Sequence, residues 1–221
     1  MVAFFHNIYG GECDLMNFFD ISMEVHSEMQ VWENIEGIKP MFDRETNGHV
    51  TSTTAHLSLH TGTHIDAPLH MINDADTFET ISLKRLVRKV KVIDLENVKD
   101  GITRSDLEGH SLAKDDFILC KTKNSDYDKP SFDFNFIFLK KDGADYLAEI
   151  GIEGIGIDTL GIERSQEGNP THRTLFQNDI IIIEGLRLKN IEPGDYFMVA
   201  APLKLIGTEA APARVLLFKQ L

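Results

Sequence analysis

Cysteine is scarce. Cys13 and Cys120 are the only two in 221 residues, so at most one bridge can form and no disulfide framework is expected. Long apolar runs are missing too, and no stretch approaches the roughly 18 residues that a membrane span needs. The opening MVAFFHNIYGGECDL has no basic segment ahead of a long apolar one, which argues against a signal peptide. Positive charge is in short supply. Lys and Arg total 22 against 35 Asp and Glu, so the net charge is 22 − 35 = −13. A surface of that sign repels phosphate backbones and anionic lipid heads, so neither nucleic acid nor a membrane is expected as a partner. These absences favour a soluble cytoplasmic protein, with a small molecule as the expected partner.

What is present is ordinary for a globular chain: 42% apolar and 26% charged residues, enough to build a full core at this length. Residues 1–18 fit no periodic pattern and read as an N-terminal extension, with one domain over 19–221. Strand patterns occupy 50–59, 90–95, 117–122, 154–158, 180–186, 195–203 and 213–218. The run IIIIEGL at 180–186 predicts a strand buried on both faces. Residues 80–87 read as a short helix or turn. A short helix is expected within 103–112, with Thr103 as N-cap and Asp106 three residues on. Residues 140–152 read as a helix stopped by glycine. Turn formers at 123–135 and 161–173 predict loops. Many strands and few short helices imply a mixed α/β domain around a curved, barrel-like sheet.

The stretch SLHTGTHIDAPLHM (58–71) concentrates chemistry. His60, His64, Asp66 and His70 all fall on even numbers. A helix is excluded by Gly62, the threonines and Pro68. In an extended chain side chains two apart point the same way. The four groups therefore share a face if the segment runs largely extended, with Gly62 as a kink and Pro68 as a turn that returns His70. Two neutral imidazoles and a carboxylate suit a borderline divalent cation, leaving a position open for water. The cation lowers that water's pKa towards roughly 7 and polarises a carbonyl. His70 is then the spare group, a general base titrating near neutrality. Any one of these histidines alone reads as a capping or core residue. Four such groups between residues 60 and 70, in a chain with nine histidines, favour metal binding.

Glu184 closes the apolar run IIIIE, where an unpaired carboxylate is costly. A metal would pair it, and so would Arg187 or Arg173. His172 is a candidate ligand or a surface histidine. Asp158, after GIGI, poses the same problem as Glu184, and capping the following loop is the expected role.

With HTGTHIDAPLH (60–70) in hand, the sequence resembles the cyclase family of metal-dependent hydrolases, which includes kynurenine formamidases and isatin hydrolases. The segment matches the family's His-x-Gly-Thr-His-x-Asp-x-Pro-x-His signature. DIS (20–22), GIGIDT (154–159), THRTLFQNDIIIIEGLRL (171–188) and APLKLIGTEAAPARVLL (201–217) extend the match to nearly the whole chain. The resemblance implies a swivelling β/β/α domain. It implies that His60, His64 and Asp66 bind one divalent cation, with Asp66 bridging to a second held by His172 and Glu184. Zinc is the first choice of metal and manganese the second, with one or two ions per subunit. His70 becomes the catalytic acid/base, Trp32 lies against the substrate, and a homodimer or homotetramer is expected. The implied reaction is hydrolysis of a formyl-amide or cyclic amide, the alternatives being a lactone or imide hydrolase and a metal-dependent cyclase or lyase. The chain departs from the formamidases at Leu160, Gly161 and Arg173, in the loop 123–135, and within 31–42, where their Pro-Gly turn is missing.

Overall fold

The computed structural model describes residues 18–127, 129–164 and 166–219. The N-terminal extension therefore lies, but for Phe18, outside the described residues, and Cys13 lies there with it.

Seven strands close into a barrel. They are β4 (His64–Asp66), β5 (Val87–Asp94), β7 (Phe117–Lys121), β9 (Gly154–Ile157), β10 (Ile181–Glu184), β11 (Gly194–Pro202) and β12 (Ala210–Lys219). In chain order the other five are β1 (Phe18–Asp20), β2 (Met41–Asn47), β3 (Val50–His56), β6 (Gly101–Ile102) and β8 (Phe138–Leu139). Around the barrel the order runs β12-β11-β5-β7-β9-β10-β4, and β4 returns to pair with β12. The stretch β5-β7-β9-β10 is parallel and the remaining contacts are antiparallel. β1 lies beside the distal half of β12.

Alternation along these strands separates two cores. Val90, Val92, Phe117, Leu119, Ile181 and Ile183 point into the barrel. Ile93, Ile118, Cys120, Ile155, Ile157 and Ile182 point outward, under a layer of helices. Both faces of the parallel strands are thus apolar, as 180–186 predicted, and polarity alone cannot set their register. Size does so. Phe117 lies opposite Gly154 and Leu119 opposite Gly156. A Cβ on Gly154 would meet the Phe117 ring at 2.3 Å.

The last three of the four helices cover the outer core, and the first buries Leu86 in the barrel core. α1 (Leu83–Leu86) is one turn, capped where Ser82 accepts from the Lys84 amide. α2 (Arg104–Glu108) carries the expected capping box, with the Thr103 amide donating to Asp106 Oδ2 at 2.8 Å. α3 (Lys141–Ile150) ends at Gly151, whose φ of +76° suits glycine. α4 (Pro170–Gln177) begins inside the segment read as a loop. Asn169 and Pro170 look like chain breakers, yet proline at the first helical position removes only an N–H that has no partner there. No described helix is long and apolar enough to cross a membrane.

Two further expectations need correction. The strand expected over 50–59 stops at His56, and it pairs with β2, which the sequence reading left without an element. Every residue of that hairpin is exposed, so no buried face advertises it. The 58–71 segment is also not one extended run. Only His64–Asp66 is a strand; turns precede it and a 3-10 turn spans Pro68–His70.

Candidate metal centre

Strand register brings the first three groups together. β10 pairs antiparallel with β4, placing Glu184 opposite His64 and Ile182 opposite Asp66. Ile65 and Ile183 point into the barrel. By alternation His64, Asp66 and Glu184 project from the outer face, towards α4. Ala210 of β12 is the other neighbour of Asp66.

Turns supply the rest. The chain enters β4 through Gly62 (φ +63°) and leaves β10 through Gly185 (φ +72°). These backbones touch: a Cβ on Gly185 would lie 2.3 Å from the Gly62 carbonyl oxygen. Thr63 secures the crossing by donating to Gly185 O at 2.6 Å. The turn ahead of this crossing places His60 Nδ1 3.1 Å from Asp66 Oδ1. The Pro68 turn returns His70 so that its ring centre lies 4.2 Å from that of His60 and 5.7 Å from that of His172. The side chains converge as parity required, but through turns rather than through an extended strand.

Each ligand candidate is aimed. His64 Nδ1 sits 2.9 Å from the Gly62 carbonyl, so its N–H is committed there and Nε2 faces Asp66 at 3.4 Å and Glu184 at 3.3 Å. His172 is buried on α4, neither on a loop nor at the surface. Its Nε2 faces Glu184 Oε1 at 3.5 Å, and its Nδ1 lies 2.8 Å from Glu163 Oε2. Glu163 went unnoticed in the sequence. It is 6% exposed and also accepts from the backbone amides of Thr171 and His172 and from Gln166. No spacing within GIERSQEGNPTHR marks it; only the fold of that loop around the start of α4 does. Asp158 is structural, but it caps the turn after β7 rather than the loop that follows it: its carboxylate accepts from the Thr122 and Ser125 amides and hydroxyls, and burial pushes its pKa up to about 6.

The electrostatics call for positive charge. Burial opposes a charged His64, but Asp66 and Glu184 outweigh it and raise the imidazole to about 9. Burial likewise opposes a charged His172, and Glu163 with Glu184 raises it to about 10. Glu184 is held well below the carboxylate range: burial raises it, but His172 and His64 lower it more. His70 differs. Burial, with the nearby His60 and His172, holds it below the usual histidine value against the pull of Asp66 and Glu184, which favours the neutral imidazole. The centre also contains unpaired atoms. His64 Nε2 and both oxygens of Asp66 are buried without a hydrogen-bond partner. Such atoms normally have one. His60, His64 and Asp66 present ligand atoms within 4.8 Å of one another, and so do Asp66, His70 and His172. The donor set and the orphaned atoms both fit a divalent cation.

A cavity of about 680 Å³ opens over this centre, walled by Trp32, Ile38, Met71, Leu160 and Gly161. Trp32 stacks edge-on against Phe132 and Phe136. Gly161 makes room for it, since a Cβ there would lie 2.3 Å from the indole. Gly161→Ala is expected to shift the indole and to cost about 1–3 kcal/mol through overpacking. Trp32 is the sole tryptophan, so emission reads its displacement directly. Unchanged emission and melting temperature would contradict the close contact.

The Cyclase family model matches residues 19–164. Cyclase-like protein 1 of Arabidopsis thaliana is 34% identical over 216 residues, covering 91% of this chain and 84% of its own. A protein of Bacillus anthracis named kynurenine formamidase is 29% identical, with 90% of this chain and 96% of its own covered. Among solved structures, a "predicted metal-dependent hydrolase" from Bacillus stearothermophilus superimposes with a TM-score of 0.87 at 53% identity, covering 93% of this chain and 99% of its own. The match begins at β1, runs through the histidine segment and Trp32, and reaches Glu163 beside His172. The chain belongs to the cyclase family.

Proposed function

We propose that this protein is a metal-dependent hydrolase that opens a non-peptide C–N bond, in a formyl-amide or a cyclic amide. One observation carries the reading: three buried polar atoms, His64 Nε2 and both Asp66 oxygens, have no partner beneath a cavity large enough for a ring-bearing substrate. His60, His64 and Asp66 would hold one divalent cation; Asp66, His172 and Glu184 would hold a second. Imidazole and carboxylate suit zinc first and manganese next. When bound, such a cation polarises a carbonyl and acidifies water.

The chain's own groups do the rest. Neutral His70 takes the proton of the attacking water and returns it to the departing nitrogen. Trp32, Leu160 and Met71 flank the substrate's body and exclude water from it. Glu163 holds the His172 Nδ1 proton, which keeps Nε2 directed at the centre. The relative named kynurenine formamidase and the neighbour described as a metal-dependent hydrolase support the same chemistry.

The test is a hydrolysis screen. Protein loaded separately with zinc and with manganese is assayed on N-formylkynurenine, isatin, cyclic imides and lactones. Cleavage of an amide above the metal-free background supports the reading, and no amide turnover with either metal sinks it. In oxygen-18 water a hydrolase incorporates one solvent oxygen per product, which separates it from a cyclase or lyase. Glu163→Gln is expected to weaken zinc affinity about 10–100-fold, the usual effect of losing a partner that orients a ligand. A chelator competition titration measures it, and unchanged affinity would remove Glu163 from this role.

A further inference from the structure

Beyond its histidines, the cavity's charge is one-sided. Glu163, Glu167 and Glu184 line it, and among the described residues no lysine or arginine does. Arg164, next in sequence to Glu163, is turned away. Its guanidinium donates to the Phe136 carbonyl at 2.8 Å, pairs with Asp100 and lies over the Phe138 ring. Glu163 and Glu184 are both engaged, Glu163 with His172 and Glu184 with His64, His172 and the Ile162 amide. Glu167 is not. It is exposed on the lining, and among the described residues it makes no hydrogen bond or ion pair. Beside it are the uncharged amides of Gln166 and Asn169, and the remaining wall is Trp32, Ile38, Met71 and Leu160.

A ligand held in this cavity loses water from its body. An anionic substituent away from the centre would then meet the Glu167 carboxylate and apolar side chains, with no cationic side chain to replace its hydration. A neutral substituent loses little, and an ammonium gains a partner. We propose that the cavity selects substrates by charge: flat amides whose remote substituents are neutral or cationic are accepted, and those bearing a remote carboxylate are rejected. The inference rests on the hydrolase reading only for where the scissile carbonyl sits. N-formylkynurenine carries both charges and does not decide the point.

The probes are para-substituted formanilides of matched size: 4-formamidobenzamide (neutral), 4-(aminomethyl)formanilide (cationic) and 4-formamidobenzoate (anionic). On zinc-loaded enzyme the benzoate's kcat/KM is expected to be at least about tenfold below the benzamide's. Glu167→Gln narrows that ratio and Glu167→Lys inverts it. Equal rates for the benzoate and benzamide, or a ratio that Glu167→Lys leaves untouched, overturn the proposal. Binding is read separately through Trp32 emission on zinc-loaded protein, wild type against Glu167→Lys, so that any pull of the ion on the carboxylate is common to both and no protonated His64 or His172 contributes. If none of the probes is hydrolysed, the formyl-amide reading fails while the charge order in the emission titrations still decides this one. Weaker benzoate than benzamide binding that Glu167→Lys relieves supports it, and equal or tighter wild-type benzoate binding, or a ratio that Glu167→Lys leaves unchanged, refutes it.

Discussion

Asp66→Ala is expected to empty the centre. Asp66 belongs to both groups of candidate ligands, and it alone faces His60 and His64 while standing within reach of His70 and His172. Turnover should fall by about a thousandfold or more, since carbonyl polarisation by a bound cation is worth several kcal/mol of transition-state stabilisation. Folding supplies a second readout. A ligand that binds only the native state stabilises it by mass action, by about 2.7 kcal/mol at a hundredfold excess over Kd. Zinc should therefore raise the melting temperature of the wild type and leave that of Asp66→Ala where it was. This gain should weaken as pH falls. Without metal, His64 and His172 hold protons up to about 9 and about 10, and the ion must displace them. A variant that still binds one zinc per chain with undiminished affinity would show that the centre is built elsewhere.

His70→Ala should separate chemistry from binding. His70 is only partly buried and lines the open cavity, and its surroundings favour the neutral imidazole. The variant should keep its zinc, and with it the zinc-dependent rise in melting temperature, while turnover drops roughly 10²–10⁴-fold, the usual contribution of a positioned acid/base. Metal content by elemental analysis and kcat on the same preparation decide the matter. Loss of metal together with activity would make His70 a ligand, a role its proximity to Asp66 and His172 permits. Full activity would remove it from the reaction altogether.

The contrast between local and distant information runs through the whole molecule. The capping box at Thr103 and Asp106 and the glycine that ends α3 are determined by residues within a few positions, and both form as the sequence implies. The hairpin of β2 and β3 has no buried side, so the pattern of alternating burial that marks a strand is absent. Asn169 and Pro170 look like breakers and predict a loop at His172, whereas in the fold they start a helix. In 58–71 the even spacing picked out side chains that do converge, but by an incomplete route, since turns at Gly62 and Pro68 do most of the converging.

From the sequence alone came the residue types of the candidate centre: imidazoles and a carboxylate packed into one short segment, in a chain of net charge −13. Ligand identity is a property of residue types and close spacing, and both can be read along the chain. The tertiary structure decided which distant groups join them. Glu184 reaches His64 only because β10 lies beside β4 in one register, Glu163 reaches His172 only because a loop folds over the start of α4, and Glu167 faces the cavity uncompensated only because Arg164 turns the other way. Such contacts follow from how sheets close and side chains fill space. They depend on pairing energies summed over the whole barrel, and no local stretch of sequence contains that sum.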